Sequence, residues 1–253
     1  MYKSKAGPEG RRALISHGGA MFRTPARVDR GFLFTAVLTV AALLGSLLAA
    51  LGQPTQPAWA DTGLAAVRYV YLTFDDGPHS TYTPQVLDIL TRYSARATFF
   101  QIGQNVKAYP YLTKRAYSRG NSVQNHTWSH PDLRYVSWDT FKYQIQTTDS
   151  YIRAQTGYTP LCLRPPYGAV NSTVYSRAAT LNKKIRLWTI DTRDWSRPGT
   201  SVIVSRVLNN VQSGSIVLMH DGGGDRSQTV AALPTILRTL KDRGYEFRRL
   251  WCR

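Results

Sequence analysis

From residue 68 to the C-terminus, short runs rich in Val, Ile, Tyr, Phe and Leu alternate with longer amphipathic runs. The short runs predict strands at Arg68–Phe74, Ala97–Ile102, Asn121–Asn125, Leu161–Arg164, Ile185–Ile190, Ser215–Met219 and Tyr245–Arg249. The longer ones predict helices at Pro84–Tyr93, Val106–Arg119, Trp138–Thr156, Ser172–Leu181, Ser201–Val211 and Thr229–Arg243. In the last of these Ala231, Leu233, Ile236, Leu237 and Leu240 recur at helical spacing. A helix between two strands returns the chain to the end of the sheet where it started, so successive strands run parallel. Seven strands alternating with six helices therefore predict an α/β fold in one domain. Strand count and size suit a parallel barrel, with a doubly wound sheet as the alternative.

The first 60 residues are of another kind. Seven Lys/Arg fall within residues 1–30 (Lys3, Lys5, Arg11, Arg12, Arg23, Arg27, Arg30), then an uncharged, mostly apolar run from Gly31 to Leu51, then a Pro-containing stretch ending Ala58-Trp59-Ala60. Basic region, apolar region and small-x-small site in that order describe a secretory signal peptide. Residues 1–60 are thus expected to be a signal peptide cleaved after Ala60, with 61–253 as the working domain. At 21 residues the apolar run also approaches the length of a membrane anchor. Either way the domain works outside the cytoplasm, secreted or associated with the cell wall.

Without residues 1–60 the chain keeps 25 Lys/Arg against 13 Asp/Glu, a net charge of +12. Such a balance favours anionic surroundings. Export argues against nucleic acid and for an anionic cell envelope. A monomer is expected. The two cysteines, Cys162 and Cys252, both lie in the exported part, and an even count in an oxidising compartment suggests a disulfide. By chain entropy, closing so long a loop contributes roughly 4 kcal/mol.

Polar clusters fall directly after the strand candidates: Asp75-Asp76, His126/His130, Arg164, Asp191/Asp194 and His220-Asp221. In parallel barrels the loops at the C-terminal strand ends build the active site. Adjacent carboxylates repel, and a bound cation on one leaves the other free as a base, although Asp-Gly-Pro is also strong turn chemistry. His126 and His130, four apart, can point one way and with Asp76 form a His₂-carboxylate set that leaves positions open, as catalytic zinc does. Arg164, in Arg-Pro-Pro-Tyr-Gly, can hold a carboxylate in fixed geometry. His220 with a nearby carboxylate makes an acid/base unit. Trp195 and Leu218 could wall it, and a core tryptophan and a capping Asp191 would explain the same residues without function.

These segments (Thr-Phe-Asp-Asp-Gly-Pro, His-Thr-Trp-Ser-His, Arg-Pro-Pro-Tyr-Gly, Asp-Thr-Arg-Asp-Trp and Leu-Met-His) resemble, in order, the signature set of the polysaccharide deacetylase family, the NodB-homology domain, across residues 68–250. The resemblance implies a distorted (β/α) barrel binding one divalent metal, usually zinc, with cobalt or nickel also acceptable. It implies Asp76, His126 and His130 as ligands, Asp75 as general base and Arg164 as the residue positioning it. It further implies His220 as general acid tuned by Asp194, the Tyr167 backbone N–H at the oxyanion, and Trp195 and Leu218 around the acetyl methyl. The implied activity is removal of N-acetyl groups from N-acetylglucosamine units of peptidoglycan or chitooligosaccharides. An O-acetyl esterase of acetylxylan type and a noncatalytic carbohydrate-binding module are the alternatives.

Overall fold

Alternation along each strand assigns its side chains to two layers. In β1 (Arg68–Asp75), Val70, Leu72 and Phe74 are fully buried against the helices, whereas Tyr71, Thr73 and Asp75 point to the opposite face. The structure, a computed structural model, describes residues 67–252. The expected signal segment 1–60 lies outside the described residues. Among the described residues no helix is long and apolar enough to cross a membrane.

β1 is followed by α1 (Tyr82–Arg92), β2 (Ala97–Gln101), α2 (Gly103–Ala108), α3 (Pro110–Ser118), β3 (Ser122–Asn125) and α4 (Trp138–Thr156). Then come β4 (Cys162–Leu163), α5 (Ser172–Thr180), β5 (Lys184–Ile185), β6 (Ile190–Asp191), α6 (Thr200–Leu208), β7 (Ser215–His220), α7 (Ser227–Asp242) and β8 (Tyr245–Phe247). Seven strands in the order β5-β4-β3-β2-β1-β7-β6 curl into an incomplete barrel, and every pairing is parallel. The barrel is the architecture expected; the doubly wound sheet is not formed.

Two expected elements divide. The helix expected over Val106–Arg119 breaks between α2 and α3, because Pro110 cannot donate to the preceding turn and Tyr109 is held at φ −131°, ψ 57°. The strand expected over Ile185–Ile190 becomes β5 and β6, which lie at opposite edges of the sheet. Residues 186–189 cross between those edges, so the barrel's seam falls inside what reads in the sequence as one strand.

β8 pairs with Arg68–Val70 of β1, just below the point where β2 takes over along Leu72–Asp75. The chain then turns under the barrel: Arg248 N–H donates to Val70 O and Leu250 N–H to Thr98 Oγ1. Leu250 and Cys252 pack with Phe100 and Cys162, and a Cys162–Cys252 disulfide fastens this plug to β4.

Candidate active site

The strands end where the polar clusters begin. Asp75 closes β1 and pairs in register with His220, the last residue of β7. His126 follows β3, Arg164 follows β4, and Asp191 closes β6. One rim therefore collects all five clusters.

Asp76 Oδ1 lies 3.4 Å from His126 Nε2 and 3.4 Å from His130 Nε2. The three donor atoms all fall within 4.8 Å of one another. Asp76 Oδ1 is buried and receives no hydrogen bond, an arrangement that is unfavourable for a carboxylate unless a cation meets it. Two imidazoles and one carboxylate are the donor set of an open zinc-type site, so the residues fit a divalent metal. Asp76, Thr127 and His130 all adopt left-handed backbone, at φ 73°, 69° and 62°. Such conformations persist only where the surroundings enforce them.

Here the enforcement comes largely from α4. Gln144 Oε1 accepts from the N–H groups of Trp128 (2.8 Å) and Ser129 (2.9 Å), and its Nε2 donates to Ser129 Oγ. Asn125 Oδ1 accepts from Thr127 N, while Asn125 Nδ2 donates to Asp149 Oδ1, whose other oxygen pairs with buried Lys183. His126 Nδ1 is fixed 2.6 Å from Arg164 O, leaving Nε2 toward Asp76. The imidazoles differ electrostatically. Burial disfavours charge on His126, but Asp75 and Asp76 outweigh it and raise its pKa. Burial and the His126 charge push His130 down to about 4.

On one flank Asp75 Oδ1 accepts from Arg164 Nη1 at 2.7 Å, and its Oδ2 lies 3.8 Å from His126 Nε2. On the other, His220 Nδ1 sits 2.7 Å from Asp194 Oδ1. Asp194 Oδ2 accepts from the His220 N–H and from Thr229 Oγ1, so both carboxylate oxygens are held. Burial opposes the imidazolium, yet the Asp194 hydrogen bond and charge, with Asp75 and Asp76 beyond, push His220 up to about 9.

The remaining expected residues are placed as follows. Tyr167 is held at φ 62°, its ring 4.7 Å from that of His130. Leu218 is buried one alternation below His220 on β7. Trp195 is half exposed, not core, and its backbone N–H donates to Asp194 Oδ1. Asp191 does not reach His220; its Oδ1 accepts from Arg193 N in a local turn. Gly168 packs flat on Trp188, whose ring occupies the space a Cβ would need.

Several contributors carry no motif signal. Gln144, Asp149 and Lys183 act through α4 and the β5 edge, and Thr229 supports Asp194 from 35 residues away. Asp221 is wholly buried, with Oδ2 accepting from Thr83 and Oδ1 unpartnered. Burial pushes its carboxyl up to about 7. It packs where Gly77 leaves room.

A base-type carboxylate and an acid-type imidazole flanking a metal-ready triad, on the rim of a parallel barrel, define a metal-dependent hydrolase. Residues 64–185 match the polysaccharide deacetylase family. A Bacillus cereus peptidoglycan-N-acetylglucosamine deacetylase is 44% identical over 182 residues, covering 71% of this chain and 85% of that protein. A Sinorhizobium fredii chitooligosaccharide deacetylase is 40% identical over 192 residues, covering 72% and 89%. The crystal structure of the Bc1960 peptidoglycan N-acetylglucosamine deacetylase, in complex with 4-naphthalen-1-yl-N-oxidanyl-benzamide, superposes with a TM-score of 0.70 at 38% identity, over 72% of this chain and 86% of that one. The chain belongs to the polysaccharide deacetylase family.

Proposed function

We propose that this protein is an exported, zinc-dependent deacetylase that removes N-acetyl groups from N-acetylglucosamine units of peptidoglycan, with chitooligosaccharides as the second substrate class. The convergence of Asp76, His126 and His130 between the Asp75–Arg164 and His220–Asp194 pairs carries this reading. The relatives named above act on these two kinds of glycan. Peptidoglycan is preferred because the net charge of +12 after residue 60 suits an anionic wall.

Asp76, His126 and His130 would hold the ion, which when bound polarises the substrate carbonyl and acidifies a water. Asp75 takes the proton of the attacking water. Its Oδ1 is committed to Arg164, so Oδ2 is the basic oxygen. The Tyr167 backbone N–H donates to the oxygen on which negative charge develops, where fixed donors contribute most. His220, protonated and with Nδ1 pinned by Asp194, delivers a proton from Nε2 to the departing amine. That proton is indispensable, because an amide anion is a very poor leaving group. Leu218 and Trp195 enclose the acetyl methyl.

Acetate release from purified protein, measured on peptidoglycan, chitotetraose and acetylated xylan with and without a strong chelator, tests the reading. Release from the first two that stops with chelator and returns with zinc is expected. Undiminished release in chelator overturns metal dependence, and release from xylan alone makes the protein an O-acetyl esterase. Glycan binding without acetate release would make it a noncatalytic module.

A further inference from the structure

At the opposite ends of the same strands lies a cavity. A cleft of about 820 Å³ opens where β2, β3 and β4 begin, between those strand ends and the 247–252 plug. Its size suits a small ligand or one or two sugar rings.

Among the described residues the lining holds three arginines, Arg96, Arg248 and Arg249, and no carboxylate side chain. Arg248 is paired with Glu246, which lies outside the lining, and Arg96 donates to the carbonyl of Arg119, which leaves its charge uncancelled. Net positive charge facing a concave space attracts anions and holds them by charge-assisted hydrogen bonds. The walls are aromatic. Tyr117 and Tyr158 pack with ring centroids 5.3 Å apart, and Trp251 leaves 68% of its surface in solvent. Aromatic faces offer apolar area at little conformational cost, and the C–H faces of sugar rings pack on them.

The cleft is also preorganised. Cys252 is tied to β4 by the disulfide, and the Arg186 guanidinium donates to Trp251 O. The segment bearing Arg249 and Trp251 is therefore fixed before any ligand arrives, which lowers the entropy lost on binding.

We propose that this cleft is a second saccharide-binding site, separate from the catalytic rim, that takes an acidic sugar unit. The ring stacks on Trp251 and the tyrosine pair, and the carboxylate or phosphate meets Arg96 and Arg249. The choice of a saccharide rests on the polysaccharide reading above, whereas the anionic requirement rests on the lining alone. Such a site would hold the enzyme on a charged wall polymer while the opposite rim works.

Isothermal titration of the full chain at physiological salt with tetragalacturonate, a glycosylated glycerol phosphate oligomer and neutral chitotetraose tests this, using wild type, Arg249→Glu and Trp251→Ala. Both substituted residues are exposed, and thermal melts of the variants check that the fold is kept. The acidic probes are expected to bind wild type, and each substitution to weaken them by about 10-fold or more. Acetate release from chitotetraose should stay within about 2-fold, as for surface substitutions remote from a site. Binding of only the carboxylate or only the phosphate probe supports the site and identifies its anion. No binding of either by wild type, or binding that both variants retain, overturns it. Acidic-probe binding without acetate release would leave this site standing and remove the deacetylase reading.

Discussion

Arg164 and Asp75, 89 residues apart in sequence, meet at 2.7 Å with both side chains almost wholly buried. The same guanidinium donates to Thr73 Oγ1, Arg186 O and Leu187 O. The last two carbonyls lie in the segment that crosses the barrel's seam, where strand pairing is interrupted. One side chain thus orients the basic carboxylate and closes the gap between β5 and β6. Arg164→Met should destabilise the fold by about 3–5 kcal/mol, since it strands a buried carboxylate. Urea unfolding measures this, and a loss below about 1 kcal/mol, the range of an exposed pair, would contradict the dual role.

Asp75→Asn keeps the size of the side chain and removes its basicity. Acetate release should fall by about 100-fold or more, the usual contribution of a general base. Zinc affinity, measured by competition with a chromophoric chelator, should hold, because Asp76, not Asp75, faces both imidazoles. A parallel fall in affinity would move Asp75 into the ligand set.

His220 carries the pH dependence. In the metal-free protein it should titrate near 9, followed by its imidazole proton resonances. The folded value lies above the ordinary 6.5. The His220–Asp194 contribution to stability is therefore complete below pH 6.5 and is lost as pH rises through about 9. Asp194→Asn removes the largest raising influence, so the imidazole should titrate lower and the alkaline limb of kcat/KM should move to lower pH. An unchanged limb would assign the acid role elsewhere.

The rim is legible in the sequence because Asp75, Asp76, His126, Arg164 and His220 each sit within a residue or two of a strand end, and strand ends announce themselves by hydrophobic runs. His130, Tyr167 and Asp194 lie farther along their loops, and the motifs, not the strand ends, point to them. The seam is not legible: Ile185–Ile190 reads as one short strand-like run despite Arg186 and Thr189, and nothing local shows that its two ends pair with β4 and β7 on opposite edges. Position after a strand does not separate Asp191 from Asp194; in the sequence the family resemblance alone points to Asp194. Only the turn at Arg193, φ 49°, sends one carboxylate to His220 and leaves the other capping a loop. Gln144, on an ordinary amphipathic helix, has no signature, because its partners are backbone N–H groups.

That glutamine supplies a further prediction. Gln144→Leu leaves the Trp128 and Ser129 N–H groups without their acceptor and frees the loop between the two histidines. Zinc affinity should drop by about 10- to 100-fold, as for supporting residues around metal sites. Gln144→Glu, which restores an acceptor, should recover part of it. Equal affinity in both variants would show that α4 does not set the histidine geometry.

One cation position, between Asp76, His126 and His130, underlies every role assigned on the rim. Anomalous diffraction at the zinc edge from crystals soaked in zinc should show a single strong peak about 2.0–2.2 Å from a carboxylate oxygen of Asp76 and from Nε2 of His126 and His130. A peak bound by other residues, or these three side chains turned apart with no peak between them, would contradict it.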